Sequence, residues 1–154
     1  MKQYANVAIG GTFDLIHKGH KILLARALEL GEQVIIGLTS DEFANSIGKE
    51  LEYSYKERLS TLERYLAETF PQSKYLISKL NDYFGPAVVL DQIQAIVVSP
   101  ETAGRVELAN KDRERRGLNA MHVETVEMVY ADDGKPISTT RIRNNEINSE
   151  GQII

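Results

Sequence analysis

Two histidines three positions apart, His17 and His20, stand in the stretch GGTFDLIHKGH, residues 10–20. Such a pair occupies neighbouring positions on one helix face, or at its entry. Imidazoles placed there can donate hydrogen bonds to phosphate oxygens as charge develops on them. Gly10 and Gly11 remove side chains where backbone must approach a ligand, and Thr12 adds a hydroxyl. A helix that follows such a loop points its free N–H groups and positive dipole end back at the same spot. The stretch therefore reads as an anion cradle, although it has neither the P-loop pattern nor G-x-G-x-x-G. A helix-cap pair without chemistry and half of a metal site are the competing readings. No further ligands stand at useful spacing, and His122 falls in a strand pattern. Phosphate-facing imidazoles with no protein-held metal are the expectation.

A second chemistry-bearing stretch is ISTTRIR, residues 137–143. Ser138 can cap a helix, Thr139 and Thr140 offer hydroxyls, and first-turn N–H groups face an anion. Arg141 or Arg143 can clamp phosphate oxygens in forked geometry. The plain alternative is an N-cap with exposed arginines.

These residues need a scaffold, and the rest of the chain supplies one. Residues 4–10 (YANVAIG), 33–38 (QVIIGL), 74–78 (KYLIS), 95–99 (AIVVS) and 122–129 read as strands. Near-continuous apolar strands suit a parallel sheet. Residues 18–30 read as a helix with Gly31 as its stop. Residues 54–70 form the clearest helix: Ser54 and Glu57 make a capping-box pattern. Tyr55, Leu59, Leu62, Leu66 and Phe70 then make one apolar stripe. Ser99-Pro100 opens a further helix running to about Arg116. A last short helix starts near Ser138. Strands alternating with helices imply βαβ crossovers, hence an α/β fold with a five-stranded parallel sheet and helices on both faces. Ligands then bind beyond the carboxyl ends of the strands, where the histidine loop lies. The charged stretch around Lys111, Arg113, Arg115 and Arg116 reads mainly as a solvated helix face.

The chain has 154 residues, enough for one domain that buries about two-thirds of its unfolded surface. Hydrophobic residues make up 42% and charged residues 26%, which excludes disorder and rod-like folds. No apolar run reaches the roughly 18 residues of a membrane span, and MKQYANVAIGG lacks a signal pattern. With Cys 0, disulfides and thiolate metal sites are excluded, and a reducing, cytoplasmic setting is expected. A net charge of −4 disfavours nucleic acid as a partner.

GGTFDLIHKGH resembles the signature of the HxGH nucleotidyltransferase superfamily, and ISTTRIR is similar to its second signature, in the expected order. Between the cytidylyl- and adenylyl-transferring branches, other residues discriminate. Cytidylyltransferases usually carry R-T-E-G before the second motif, whereas this chain has Asp132-Asp133-Gly134-Lys135-Pro136. Nicotinamide-mononucleotide adenylyltransferases usually have an arginine in the first loop, where Gly11-Thr12-Phe13-Asp14 stands. Gly48-Lys49, Tyr55-Lys56-Glu57-Arg58, Asp82-Tyr83-Phe84-Gly85-Pro86 and Val98-Ser99-Pro100-Glu101-Thr102 resemble phosphopantetheine adenylyltransferases of the archaeal and eukaryotic type.

That resemblance implies a single Rossmann-like domain over residues 1–154, with the tail after residue 147 frayed. It implies transfer of AMP from ATP to 4′-phosphopantetheine, giving dephospho-coenzyme A and pyrophosphate, with Mg²⁺ arriving on ATP. Partners would be these two substrates, with no membrane and no nucleic acid, and a monomer is compatible. Gly11, Thr12 and Phe13 would hold phosphates. His20 would stabilise charge on the α-phosphate, and His17 would assist along the triphosphate. Ser138, Thr139, Thr140 and Arg141 would bind the β- and γ-phosphates. Lys49 would reach the phosphates of both substrates, and Arg113 would play a similar part. Ser99, Glu101 and Thr102 would lie beside adenine; Asp82, Tyr83 and Phe84 would line the pantetheine arm. Asp14 fits the cradle or the orientation of its loop. Another HxGH nucleotidyltransferase and an inactive nucleotide-binding module are the alternatives.

Overall fold

The computed structural model describes residues 2–85, 87 and 90–154. Five strands form one sheet: β1 (Tyr4–Gly11), β2 (Gly31–Thr39), β3 (Tyr75–Leu80), β4 (Ala95–Val98) and β5 (His122–Thr125). Their order is β3-β2-β1-β4-β5, and every pairing is parallel. Between them run α1 (Lys18–Leu30), α2 (Asp41–Ser46), α3 (Tyr55–Thr69) and α4 (Pro100–Arg115), and α5 (Thr139–Arg143) follows β5. The alternation read from the sequence is thus a Rossmann-like α/β sheet. Strand order reverses between β1 and β4, and in such sheets a crevice opens at that reversal.

Both faces of the sheet are covered, as its central strands require. On one face Val7, Ile9, Val34 and Ile36 pack with Leu24 and Leu28 of α1 and with Leu62 and Leu66 of α3. On the other, Ala8, Ile35, Ile96 and Val98 pack with Val106 and Ala109 of α4. A satellite cluster of Ala131, Ile137 and Ile147 lies under the C-terminal segment.

Several boundaries differ from the sequence reading. Gly31 ends α1 with extended backbone (φ −106°) and leads directly into β2, so no left-handed turn intervenes. The short helix α2 carries little periodicity, yet Ser40 caps it by accepting the Phe43 N–H at 3.0 Å. Strand β5 stops at Thr125; the Val126 N–H still donates to the Val98 carbonyl at 3.0 Å, and residues 127–129 lie beyond the sheet. The C-terminal tail is folded back, not frayed. Ile147 is fully buried and bridges antiparallel to Ile153. The Asp132 N–H donates to the Gly151 carbonyl at 2.8 Å.

Arg113 is a correction. It lies in phase with Val106 and Ala109 on the buried stripe of α4 and is 1% exposed. Its guanidinium donates to the carbonyls of Ala87, Leu90, Ile93 and Asn119 at 2.7–3.1 Å. Those bonds tie α4 to the segment leading into β4. Four of its five N–H donors are spent on these carbonyls, and the residue does not line the cleft described below.

Candidate active site

A cleft of about 770 Å³ opens at the strand-order reversal. The carboxyl ends of β1 and β4 form its floor, through Gly10, Gly11, Val98 and Ser99. His17 and His20 line one wall; Ser138, Thr139 and Thr140 line another. The two motifs, separated by most of the chain, therefore face one space.

The histidines build their own platform. His17 is the N-cap of α1, and its Nδ1 accepts the N–H groups of Gly19 at 3.0 Å and His20 at 3.4 Å. The His20 Nδ1 in turn accepts the His17 N–H at 3.2 Å. The result is a capping box made of two imidazoles. The rings stack at 3.8 Å, with Phe13 5.0 Å from His20. Gly19 makes this possible, because a Cβ there would stand 2.8 Å from the His17 Cε1. The helix-cap and site readings of this pair are therefore compatible: Nδ1 caps, and the opposite ring edge is left for a ligand.

This geometry fixes the tautomers. A backbone N–H only donates, so each Nδ1 must be the acceptor, and the neutral ring carries its proton on Nε2. Burial keeps both rings neutral. It pushes His17 down to about 4 from the ordinary 6.5. Burial, then the neighbouring His17, pushes His20 down to about 3.

The expected source of the cradle's donors is corrected by the same bonds. The first N–H groups of α1 are all taken: Lys18 donates to the Ser149 carbonyl at 2.8 Å, Gly19 and His20 to His17, and Lys21 to the His17 carbonyl. The helix end offers the cleft its imidazole N–H groups and no free amides. Gly11 likewise serves the fold first, since a Cβ there would meet the Phe13 ring at 3.1 Å. Phe13 itself is buried with φ +49°, an uncommon conformation held by its packing.

Lys49 reaches over the same loop and donates to the Thr12 hydroxyl at 3.1 Å. It follows Gly48, whose φ of +76° favours glycine. Burial, and then Arg105, lowers the Lys49 pKa.

Three charged residues fix these loops. Asp14 accepts the Glu52 and Tyr53 N–H groups at 2.9 and 3.0 Å. Arg143 bridges Asp14 at 3.5 Å and the Glu50 carbonyl at 2.6 Å. Arg58 is 1% exposed and donates to the carbonyls of Thr12 at 2.8 Å and Tyr53 at 3.1 Å. It also pairs with Asp41 at 2.8 Å. Asp14 thus orients its loop. Arg58 had no assigned role in the sequence reading, and Arg143 stood there only as the alternative to Arg141 for clamping phosphate. The signal for Arg58 was its phase, because it lies on the same side of α3 as Leu62.

The C-terminal arginines exchange roles. Arg141 is committed to Asp133 and Glu146 and to the Lys135 and Pro136 carbonyls. It does not line the cleft, whereas Arg143 does. Ser138 caps α5 by accepting the Arg141 N–H at 3.2 Å, and its O–H is still able to donate.

Beside β4, Ser99, Glu101 and Thr102 line the cleft, and the Ser99 and Thr102 hydroxyls lie 3.3 Å apart. Tyr83 and Phe84 line it too. Asp82 does not, because its carboxylate accepts the Phe84 and Gly85 N–H groups and closes its own turn. Pro86, at the end of that stretch, lies outside the described residues. Residues 126–129, read as strand, form another part of the lining.

Among the described residues no three His, Cys, Asp or Glu side chains converge to hold a metal. Asp14, the acid nearest the cradle, is spent on backbone amides and Arg143.

Comparisons with known proteins agree with the geometry. The cytidylyltransferase-like family model matches residues 8–145. A phosphopantetheine adenylyltransferase of Methanothermobacter thermautotrophicus is 44% identical over 99% of this chain and 92% of its own. That of Methanosarcina acetivorans is 42% identical over 96% of this chain and 94% of its own. A solved structure of an Archaeoglobus fulgidus protein of unknown function superposes with a TM-score of 0.70 at 31% identity, covering 82% of this chain and 89% of that one. This chain belongs to the cytidylyltransferase-like family, and within it to the archaeal-type phosphopantetheine adenylyltransferases.

Proposed function

We infer that the chain transfers AMP from MgATP to the phosphate of 4′-phosphopantetheine, releasing pyrophosphate and dephospho-coenzyme A. The observation that carries this is the meeting of the imidazole pair and the hydroxyl-bearing turn on one cleft. A triphosphate lies between them, its α-phosphate at the histidines and its β- and γ-phosphates at Ser138, Thr139 and Thr140. An oxygen of the acceptor phosphate attacks the α-phosphorus in line. The bond from that phosphorus to the bridging oxygen breaks, and pyrophosphate takes the electron pair. The chain supplies no nucleophile and forms no covalent intermediate.

Such a transfer is helped by positioning and by donors already aimed at developing charge. The His20 Nε2–H serves the α-phosphate, and the His17 Nε2–H serves the next oxygens. Because each Nδ1 is anchored to backbone, neither ring must reorient as the bond breaks. Lys49 adds a point charge from a loop that Asp14, Arg58 and Arg143 hold. Ser99, Glu101 and Thr102 serve the adenine side; Tyr83 and Phe84 serve the pantetheine side.

A second reading has one observation behind it. The matching family model is cytidylyltransferase-like. Incubation with Mg²⁺, phosphopantetheine and either ATP or CTP decides, with pyrophosphate and dephospho-coenzyme A measured. Turnover with ATP is expected. Turnover only with CTP and a phosphorylated alcohol overturns the reading, as does tight ATP binding without turnover.

A further inference from the structure

The tail beyond residue 147 contributes no side chain to the cleft lining, yet it touches both motifs that do. Its Ser149 carbonyl accepts the Lys18 N–H at 2.8 Å, the first amide of α1 and the residue between the two imidazoles' anchors. Glu150 pairs with Lys21 one turn further on, also at 2.8 Å. At the other side of the same hairpin, Gly151 is buried against Ile137, the residue preceding Ser138. A Cβ on Gly151 would stand 2.6 Å from the Ile137 Cδ1 and 3.1 Å from the Ala131 Cα, at a backbone φ of +82°. Ile147, fully buried, packs into the cluster that includes Ile137 and Ile142.

We propose that the hairpin of residues 147–153 is a positioning clasp that sets the separation of the imidazole pair from the Ser138–Thr140 turn. It acts through a main-chain hydrogen bond on the first motif and close packing against the Ile137 side chain at the second, so neither can drift without breaking a bond or a close packing contact. The proposal rests on the reading of the cleft as a polyphosphate site. A triphosphate has a fixed reach, and a displacement of either grip by about 1 Å is enough to cost roughly a hundredfold in rate. The Lys21–Glu150 pair is half-exposed and contributes little by itself. The load falls on the Ser149 carbonyl and the Gly151 contact.

Two point variants test the clasp. Lys18→Pro deletes the N–H that Ser149 accepts, at a helix position where proline is well tolerated. His17 already has the extended backbone (φ −113°, ψ 178°) that a following proline requires. Gly151→Ala forces the other end of the hairpin away from Ile137. For both, kcat should fall roughly tenfold or more while KM for ATP stays within about twofold. The His17 and His20 imidazole signals in ¹⁵N spectra of the ligand-free protein should shift. If Gly151→Ala does not fold, Lys18→Pro decides alone. A folded Lys18→Pro protein with unaltered kcat, or with unaltered imidazole signals, overturns the proposal. Should the unaltered chain show no adenylyl transfer, the reading of the cleft fails, and the imidazole signals still decide whether the hairpin positions the rings.

Discussion

At the scale of residues, two imidazoles cap the first helix and, in the proposed reaction, also serve as donors. Replacing His20 by Ala removes the Nε2–H that we propose serves the α-phosphate, and one half of the capping box. We expect kcat to fall by about a hundredfold or more, with ATP affinity changed by less than about threefold. A variant with near-normal kcat contradicts its role. The rings should also stay neutral far into acid. NMR titration of the free protein should place both below the ordinary 6.5, near 4 for His17 and 3 for His20. Titration of both near 6.5 would mean that burial does not hold them neutral. Sequence alone put these residues at the cleft but missed how they are held. Residue types state what a side chain can donate, and the ring edge it presents depends on backbone donors that only folding brings together.

At the scale of elements, phase is the informative signal, and two arginines show it. Arg58 and Arg113 follow the apolar stripes of α3 and α4, and both are buried. The resemblance put Arg113 at a phosphate, and its charged neighbours Lys111 and Arg115, which do face outward, suggested a solvated face; its own phase with Val106 and Ala109 was the better guide. Arg113→Ala should leave main-chain carbonyls unsatisfied and cost about 3 kcal/mol or more of stability in urea unfolding, with KM for ATP within about twofold. A stable protein with raised KM would restore a ligand role. Arg58→Lys keeps the charge and loses the fork that spans Thr12, Tyr53 and Asp41. Here kcat should drop about tenfold with the fold retained, because the loops of Thr12 and Lys49 loosen together; unchanged kcat would remove Arg58 from the positioning network. The helix and strand centres were legible from periodicity. The end of β5 at Thr125 was not, because the apolar pattern runs on: Val126 packs against the main core and lines the cleft, and Val129 packs against the satellite cluster.

At the scale of the whole molecule, the sheet's reversal between β1 and β4 gathers into one crevice residues that are far apart along the chain. The alternation of elements made the parallel sheet legible. The folded-back tail was not, because its anchors are main-chain groups and one isoleucine, with no composition of their own. Acid stability follows from the buried imidazoles. Their folded pKa values lie below the unfolded 6.5, so the unfolded chain binds more protons at mild acid. Their contribution is complete above about pH 6.5 and is lost as pH falls toward 4 and 3. Replacing both histidines with Gln should flatten that part of the pH profile in urea unfolding; an unchanged slope assigns it to other groups. The central claim, that both motifs grip one polyphosphate, is tested most directly by a crystal structure with a non-hydrolysable ATP analogue and Mg²⁺. It should show the His20 Nε2 within hydrogen-bond distance of an α-phosphate oxygen and the hydroxyls of Ser138, Thr139 or Thr140 on the β- or γ-phosphate of the same molecule. A triphosphate held by one motif alone, or lying outside the cleft, would contradict it.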